Sequence, residues 1–199
     1  MITLVGAGPG SRGSMTLDAI EAIQSADRVV AFPRLKESLA FIRDDIVEIR
    51  RISEAEEAVG DDHLAVVVSG DPLFYGLAAT LKRRGMNIHR VVPGISSMQY
   101  AASKLQIPWD SMTFYSFHGR EKNVDFLLRQ KISCVLLDKH YSLTELSADL
   151  KEKGAEGMIH GASYLSYDNE MMETKAIGES FAIEGDLALG VIELALDEG

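Results

Sequence analysis

Short apolar runs and amphipathic stretches alternate along the first half of the chain. The apolar runs predict strands at residues 2–5, 28–31, 46–49, 65–68 and 88–92. Helical spacing of apolar residues follows four of these runs, at 16–25, 35–42, 74–84 and 98–105, whereas a polar, acidic segment at 53–62 follows the third run. Strands that alternate with helices favour right-handed parallel crossovers and a sheet that is covered on both faces.

The pattern changes after Ile107-Pro108-Trp109-Asp110, because the preceding helix stops before Pro108 and the composition turns polar. Further strands are predicted at 112–117, 132–137, 158–164, 171–177 and 187–194, with helices at 124–129 and 143–153. The last three strands have short connections, which favour antiparallel pairing. The predicted fold class is therefore α/β with two domains. They are an N-terminal parallel-sheet domain, residues 1–109, and a smaller mixed-sheet domain, residues 110–199.

Three glycine-containing loops, at 6–10, 70–72 and 93–97, leave the ends of predicted strands. Ligands of open α/β sheets bind outside the carboxyl ends of the strands. At 70–72, Gly70 can bring backbone close to a ligand, Asp71 offers a carboxylate, and Pro72 fixes the direction of the chain. The three loops together predict a ligand site. An ordinary turn, in which Asp71 only caps the next helix, remains an alternative.

The loop at 6–10 does not fit a dinucleotide-binding loop. Its third glycine comes one residue too early for the G-x-G-x-x-G spacing, and Pro9 has no N–H to donate to a pyrophosphate. The second strand ends in Phe32-Pro33 without the acidic residue that would hold a ribose hydroxyl. A nicotinamide dinucleotide site is therefore not predicted.

Composition narrows the function classes further. The chain has 20 Lys and Arg against 30 Asp and Glu, a formal net charge of −10. This balance argues against a nucleic-acid partner, but it leaves room for a local basic pocket that binds an anionic small molecule. The single cysteine, Cys134, lies in an apolar run and is predicted to be a buried, inert thiol. The histidines lack metal-ligand spacing, so no metal site is predicted.

The chain has no apolar stretch near the ~20 residues of a membrane span, and no basic segment and small-residue cleavage site of a secretory leader at its N-terminus. We therefore expect a cytoplasmic protein with no membrane association.

Three motifs resemble the tetrapyrrole (corrin/porphyrin) methylase family: Val5-Gly6-Ala7-Gly8-Pro9-Gly10, Ser69-Gly70-Asp71-Pro72-Leu73-Phe74-Tyr75-Gly76 and Pro93-Gly94-Ile95-Ser96-Ser97. Their order and spacing extend the resemblance over nearly the whole chain. Two later runs, Ile107-Pro108-Trp109-Asp110 and Ser116-Phe117-His118-Gly119-Arg120, with Ser97-Met98-Gln99-Tyr100-Ala101-Ala102 before them, are similar to the branch that methylates carbon 5 of the corrin ring. The resemblance implies two α/β domains, with S-adenosylmethionine as cofactor in the cleft between them.

The resemblance also implies particular site residues. The implied cofactor-binding residues are Gly70, Asp71, Phe74, Ser96, Ser97, Leu137, Asp138, Gly161, Ala162, Leu189 and Gly190. The last six of these are expected on the adenine side. The implied substrate contacts are Pro9, Arg12, Arg34, His118 and Arg120. The sequence departs from the family pattern at Ser97 and at Asp138, where relatives often carry alanine and an apolar residue.

The expected substrate is an anionic corrinoid, which presents several carboxylates to arginine. A conjugated tetrapyrrole already supplies a nucleophilic carbon, so we expect catalysis by positioning, with no dedicated catalytic base. The family resemblance further implies a homodimer, and leaves open an association with a C(15)-methylating decarboxylase. Two alternatives remain: a methylase of the same fold that acts on ribosomal RNA or on a protein side chain, and a noncatalytic binding subunit.

Overall fold

Parallel strands build the sheet of the first half of the chain in the computed structural model, which describes residues 1–119, 122–183 and 188–195. The sheet has the order β3-β2-β4-β1-β5. Its strands are β1 (Ile2–Gly6), β2 (Arg28–Ala31), β3 (Val47–Glu48), β4 (Leu64–Val68) and β5 (Arg90–Val92). All four pairings are parallel, as the alternation of strands and helices predicted.

Strands β1 and β4 are buried on both faces, which explains their continuous apolar sequences. Successive residues enter opposite cores: Leu4 and Val66 lie in one hydrophobic cluster, whereas Val5 and Val67 lie in the other. The helices of this half are α1 (Leu17–Ser25), α2 (Pro33–Leu39), α3 (Ile52–Glu57) and α4 (Ala78–Arg83). Residues of α1 and α2 join the cluster of Val5, and residues of α3 and α4 join the cluster of Leu4.

Two helices in this half of the chain differ from the prediction. The acidic segment at 53–62 contains α3, because one apolar side chain, Ala55, is completely buried and anchors this short helix. The helix predicted at 74–84 begins only at Ala78. Tyr75 has a left-handed backbone with φ 51, and a Cβ on Gly76 would lie 2.5 Å from the carbonyl oxygen of Asp71, so a tight turn replaces the first helical turn.

A second sheet, of order β6-β7-β10-β8-β9, occupies the remainder of the chain. Its strands are β6 (Thr113–Ser116), β7 (Ile132–Leu136), β8 (Gly157–Ser163), β9 (Met171–Ala176) and β10 (Leu189–Leu194). β6 and β7 are parallel, and the three other pairings are antiparallel. The antiparallel pairing predicted among the last three strands is confirmed, because β8 pairs antiparallel with both β9 and β10.

Helix α6 (Leu143–Glu152) packs its apolar face into the core of this second sheet. It begins with a capping box: the Ser142 hydroxyl accepts from the Glu145 backbone N–H at 3.2 Å, and the Glu145 carboxylate accepts from the Ser142 N–H at 2.7 Å. The helix predicted at 124–129 is only a short 3₁₀ helix, Leu127–Arg129. The Asn123 side-chain oxygen accepts from the N–H of Asp125 at 2.8 Å, which favours a turn at this point. The segment is also too short to nucleate an α-helix.

The chain divides into two compact units, Met1–Ser97 and Met98–Gly199. Helix α5 (Ser97–Leu105) therefore belongs almost entirely to the second unit, and the predicted domain boundary after residue 109 lies beyond it. No helix within the described ranges is long and apolar enough to cross a membrane.

Candidate functional site

The loops after β4 and β1 are joined at the carboxyl edge of the first sheet. Gly8 and Gly70 exchange backbone hydrogen bonds of 2.7 and 3.3 Å, and the Ala7 N–H donates to the carbonyl of Val68 at 2.8 Å. Because β1 pairs parallel with both β4 and β5, the loop after β5 leaves the same edge. The predicted convergence of the three loops is confirmed.

Glycine is required where these loops meet. A Cβ on Gly6 would lie 2.6 Å from the carbonyl oxygen of Gly70 and 2.7 Å from the nitrogen of Gly94, closer than any real side chain approaches backbone. Gly70 itself has a left-handed backbone with φ +66, and the nearest atom to a Cβ built there is Ser96 Cα, 3.8 Å away. The backbone is thus tightly packed at Gly6, whereas a Cβ at Gly70 would meet its nearest neighbour only at ordinary contact distance.

The Asp71 carboxylate holds two of these loops together. Its Oδ1 accepts from the backbone N–H groups of Leu73 and Phe74 at 2.8 and 3.2 Å, which closes its own turn. Its Oδ2 accepts from the N–H of Gly94 at 3.3 Å, in the loop after β5. Asp71 therefore closes the turn and also ties it to a second loop. The alternative interpretation, in which Asp71 only caps the next helix, is wrong, because α4 begins at Ala78 and has Leu77 as its N-cap.

Apolar side chains stand exposed around this edge. Leu73 is 65% exposed, Tyr75 41% and Ile95 38%, and the rings of Phe74 and Tyr75 meet edge to face with centroids 5.0 Å apart. Ser96, by contrast, is 6% exposed. The predicted cofactor residues of the first unit are thus gathered at one edge, with backbone and apolar surface facing solvent.

The predicted substrate residues of the first unit follow the same carboxyl edge. Pro9 is buried, and Arg12 and Arg34 are exposed, on the segments after β1 and β2 respectively. The Arg12 guanidinium lies 4.6 Å from the centroid of the Phe41 ring. Stacking orients a guanidinium and leaves its N–H edge free to bind carboxylates. The sequence prediction missed Phe41, because no local pattern pairs residues 29 positions apart.

In the second unit, Asp138 connects the loops that follow β6 and β7. Its Oδ2 accepts from the Gly119 N–H at 3.1 Å, and its Oδ1 accepts from the His140 N–H at 2.8 Å. These bonds, with the nearby His118 and His140 side chains, hold the pKa of Asp138 below its ordinary value. His118 is exposed. Arg120, the other predicted substrate contact in this unit, lies outside the described residues.

The remaining predicted adenine-side positions are packed within the second unit. Gly161 and Gly190 face each other across β8 and β10. A Cβ on Gly161 would lie 2.6 Å from Leu143 Cδ1, and one on Gly190 would lie 3.2 Å from Leu143 Cδ2. Both glycines therefore admit α6 close to the sheet, and their place beside a cofactor stays a prediction. Three further positions are almost fully buried: Leu137, Ala162 and Leu189.

Two residues with potentially reactive side chains, His160 and Cys134, have structural roles. His160 bridges Thr174 and Glu193, with Nδ1 2.8 Å from Thr174 Oγ1 and Nε2 2.7 Å from Glu193 Oε1. Cys134 is completely buried, and burial raises the pKa of its thiol, as predicted for an inert cysteine. In the part of the chain that the structure describes, no group of three His, Cys, Asp or Glu side chains could hold a metal ion.

Curated relatives match this chain over most or all of its length. A probable cobalt-precorrin-7 C(5)-methyltransferase from Methanocaldococcus jannaschii is 32% identical, with 90% of each chain covered. The cobalt-precorrin-7 C(5)-methyltransferase of Salmonella typhimurium is 30% identical, with 100% of each chain covered.

Solved structures share the fold. The cobalamin biosynthesis precorrin-6Y methylase from Archaeoglobus fulgidus superimposes with a TM-score of 0.77 at 22% identity, over 98% of this chain and 99% of that one. A uroporphyrin-III C-methyl transferase from Thermus thermophilus, complexed with S-adenosyl homocysteine, gives 0.77 at 20% identity, over 96% of each chain.

The two-sheet architecture, the glycine loops at the carboxyl edge and these full-length similarities agree with the family predicted from the sequence. The model of the tetrapyrrole (corrin/porphyrin) methylases matches residues 1–179. The chain belongs to this family.

Proposed function

We propose that this chain is an S-adenosylmethionine-dependent methyltransferase of cobalamin biosynthesis, which methylates carbon 5 of a precorrin or cobalt-precorrin. The observation that carries this proposal is the match to two relatives named as cobalt-precorrin-7 C(5)-methyltransferases, over 90% and 100% of this chain. An acidic chain of net charge −10 favours this small-molecule reaction over methylation of RNA.

The carboxyl edge of the first sheet fits the proposed cofactor. Gly70 has no side chain to keep a ligand from its backbone, and Phe74 supplies a half-buried aromatic face. In this proposal Gly70, Asp71 and Phe74 contact the methionine and ribose part, and Ser96 and Ser97 lie near its carboxylate. When bound, S-adenosylmethionine supplies an electrophilic methyl group on its sulfonium.

Further proposed cofactor contacts, on the adenine side, come from the second unit: Leu137, Gly161, Ala162, Leu189 and Gly190. Leu137, Ala162 and Leu189 are apolar, which suits the surroundings of an adenine ring, and each is at most 3% exposed. Gly161 and Gly190 add backbone without side chains.

The chain's own contribution to the reaction is orientation. Arg12, Arg34, His118 and Arg120 are proposed to bind the carboxylates of the corrinoid, so that carbon 5 faces the methyl group at reacting distance. Such positioning replaces a bimolecular encounter with a reaction in one complex, and exclusion of water protects the donor. No dedicated base is needed to create the nucleophile, because the conjugated ring supplies it.

Mass spectrometry of the product tests the proposal. The purified full-length chain is incubated with precorrin-7 or cobalt-precorrin-7 and S-adenosylmethionine that carries a ¹³C-methyl group. The expected product has gained one labelled methyl, which carbon NMR places at carbon 5. Tight cofactor binding without methyl transfer to either substrate would instead support the noncatalytic binding subunit.

We also infer from the family that the chain acts as a homodimer in the cytoplasm, with a C(15)-methylating decarboxylase as a candidate partner. Light scattering after size-exclusion chromatography tests the dimer: the expected mass is twice 21.8 kDa. A monomeric mass at micromolar concentration contradicts it.

A further inference from the structure

Parallel pairing of β6 and β7 places two loops side by side in the second unit. Ser116 and Leu136 are paired at the ends of these strands, and the Phe117 N–H donates to the carbonyl of Leu136 at 2.9 Å. The segments that follow β6 and β7 therefore leave the sheet at the same edge. We call residues 117–119 the β6 loop and residues 137–141 the β7 loop.

Asp138 is the side chain that joins these two loops. One carboxylate oxygen closes its own turn through the N–H of His140, two residues later, and the other accepts from Gly119 in the β6 loop. Gly119 has a left-handed backbone with φ +65, so the N–H that it turns toward Asp138 depends on a glycine conformation. A bond from a backbone N–H to a carboxylate is stronger than one between neutral groups.

The same arrangement occurs at Asp71 in the first unit. There, too, one oxygen accepts from the N–H two residues later, that of Leu73, and the other accepts from a glycine N–H, that of Gly94, in the loop after a different strand. In each unit an aspartate therefore fixes two loops at a carboxyl edge through a single carboxylate. A repeated geometry of this kind indicates a positioning role for the side chain.

Charge and a second anchor support this role at Asp138. The bonds from Gly119 and His140, together with the His118 and His140 side chains, lower its pKa, so it carries a negative charge at neutral pH. Lys122 donates from its ammonium group to the carbonyl of His140, and the same group lies 4.8 Å from the centroid of the Tyr141 ring. The chain is thus attached to the β7 loop at Gly119 and again at Lys122.

We propose that Asp138 is a positioning residue for the corrinoid, acting through the β6 loop and its exposed His118, and that it does not act as a contact for adenine. This inference rests on the proposed function and refines it, because the family resemblance assigned Asp138 to the cofactor. Loss of the Asp138–Gly119 bond releases the β6 loop while the turn of the β7 loop remains closed. Recognition of the corrinoid carboxylates then weakens, and the cofactor affinity is unchanged.

The substitution Asp138→Asn separates the two bonds. The amide has one acceptor oxygen instead of two, so it cannot accept from His140 and Gly119 together. That oxygen stays with the N–H of His140, because asparagine closes the same turn to the residue two positions later. The control is Asp125→Asn, which removes a carboxylate paired with Lys153 on the surface of the same unit. In Asp138→Asn we expect KM for the corrinoid to rise about tenfold, as for loss of one charge-assisted hydrogen bond. The cofactor dissociation constant, measured by calorimetry, stays within about twofold of the Asp125→Asn value.

Amide hydrogen exchange tests the same bond without any turnover. In Asp138→Asn the Gly119 amide should exchange faster, and the Gly94 amide, held by Asp71, should not change. Equal exchange of Gly119 in the wild type and the variant overturns the proposal. So does a loss of cofactor affinity with an unchanged corrinoid KM, since that result makes Asp138 a cofactor contact. If the wild type transfers no methyl group, the proposed function fails, and the exchange result still decides whether Asp138 holds the β6 loop.

Discussion

The Asp71 carboxylate accepts a hydrogen bond from the Gly94 N–H at 3.3 Å, and this bond ties the loop after β4 to the loop after β5. These two strands are not neighbours, because β1 lies between them. The contact therefore spans the width of three strands at the edge where we propose that the cofactor binds.

Replacing Asp71 should weaken cofactor binding more than substrate binding. Asp71→Asn keeps an oxygen for the Leu73 N–H and loses the acceptor for Gly94, whereas Asp71→Ala loses both. We expect S-adenosylmethionine affinity to fall about tenfold in Asn and further in Ala, at roughly 1–1.5 kcal/mol per bond. Isothermal titration measures this directly. Unchanged cofactor affinity in Asp71→Ala contradicts the role.

A methyl group at Gly6 should destabilise the first unit. The added Cβ would lie 2.6 Å from the Gly70 carbonyl oxygen and 2.7 Å from the Gly94 nitrogen, so the backbone must shift. We expect Gly6→Ala to lower the free energy of unfolding by about 2–3 kcal/mol, a typical cost of overpacking. Gly13→Ala is the matched control, since nothing lies within 4 Å of a Cβ built there. Urea denaturation compares the two, and equal midpoints would show that the loops yield without cost.

Stacking of Arg12 on Phe41 should contribute to corrinoid recognition. Phe41→Leu removes the aromatic face while keeping apolar bulk, and we expect KM for the corrinoid to rise about two- to fivefold, in line with an exposed cation–π contact. Phe41→Tyr keeps the face and should retain the wild-type KM. Steady-state kinetics at saturating S-adenosylmethionine separates KM from kcat. A Phe41→Leu enzyme with normal KM removes this pair from the substrate site.

The capping box of α6 should make the second unit sensitive to acid. Hydrogen bonds from the Ser142 N–H and hydroxyl lower the pKa of Glu145 in the folded state. The stabilisation that ionised Glu145 provides is therefore present above the usual glutamate pKa of about 4.3, and it is lost as the pH falls through the lower, folded-state pKa.

Two variants measure this contribution. Ser142→Ala should cost about 1 kcal/mol at pH 7, as N-cap removal commonly does. Glu145→Gln should be less stable than the wild type at pH 7, and the difference should shrink toward pH 3. Thermal denaturation as a function of pH records both. A Glu145→Gln difference that is constant with pH would mean that the charge of Glu145 adds nothing.

The sequence predicted the elements whose signals are local. The apolar run at 65–68 became β4, buried on both faces. The helix predicted at 16–25 became α1, and the Thr16 hydroxyl caps it by accepting from the Ala19 N–H at 3.1 Å. Helix α3 was missed because a single buried residue, Ala55, distinguishes it from an exposed acidic loop. The late start of α4 follows from Asp71, whose carboxylate closes a turn that a helical pattern of apolar residues cannot reveal.

Predictions about the site had the same limit. The convergence of three loops could be predicted, since parallel strands all end at one edge. The partner of Asp138 could not, because it depends on β6 lying next to β7 and on the left-handed turn at Gly119. The stack of Arg12 on Phe41 likewise depends on which segments the sheet order brings together.

The mixed pairing of the second sheet has a consequence for redesign. Among its described strands, β6 and β7 form the one parallel pair. Only for this pair do the loops that follow two consecutive strands begin next to each other. Grafting a different specificity into this unit should therefore exchange residues 117–119 and 137–141 as a set, with Asp138 and Gly119 transferred together. A graft that carries one segment alone would separate the carboxylate from its glycine.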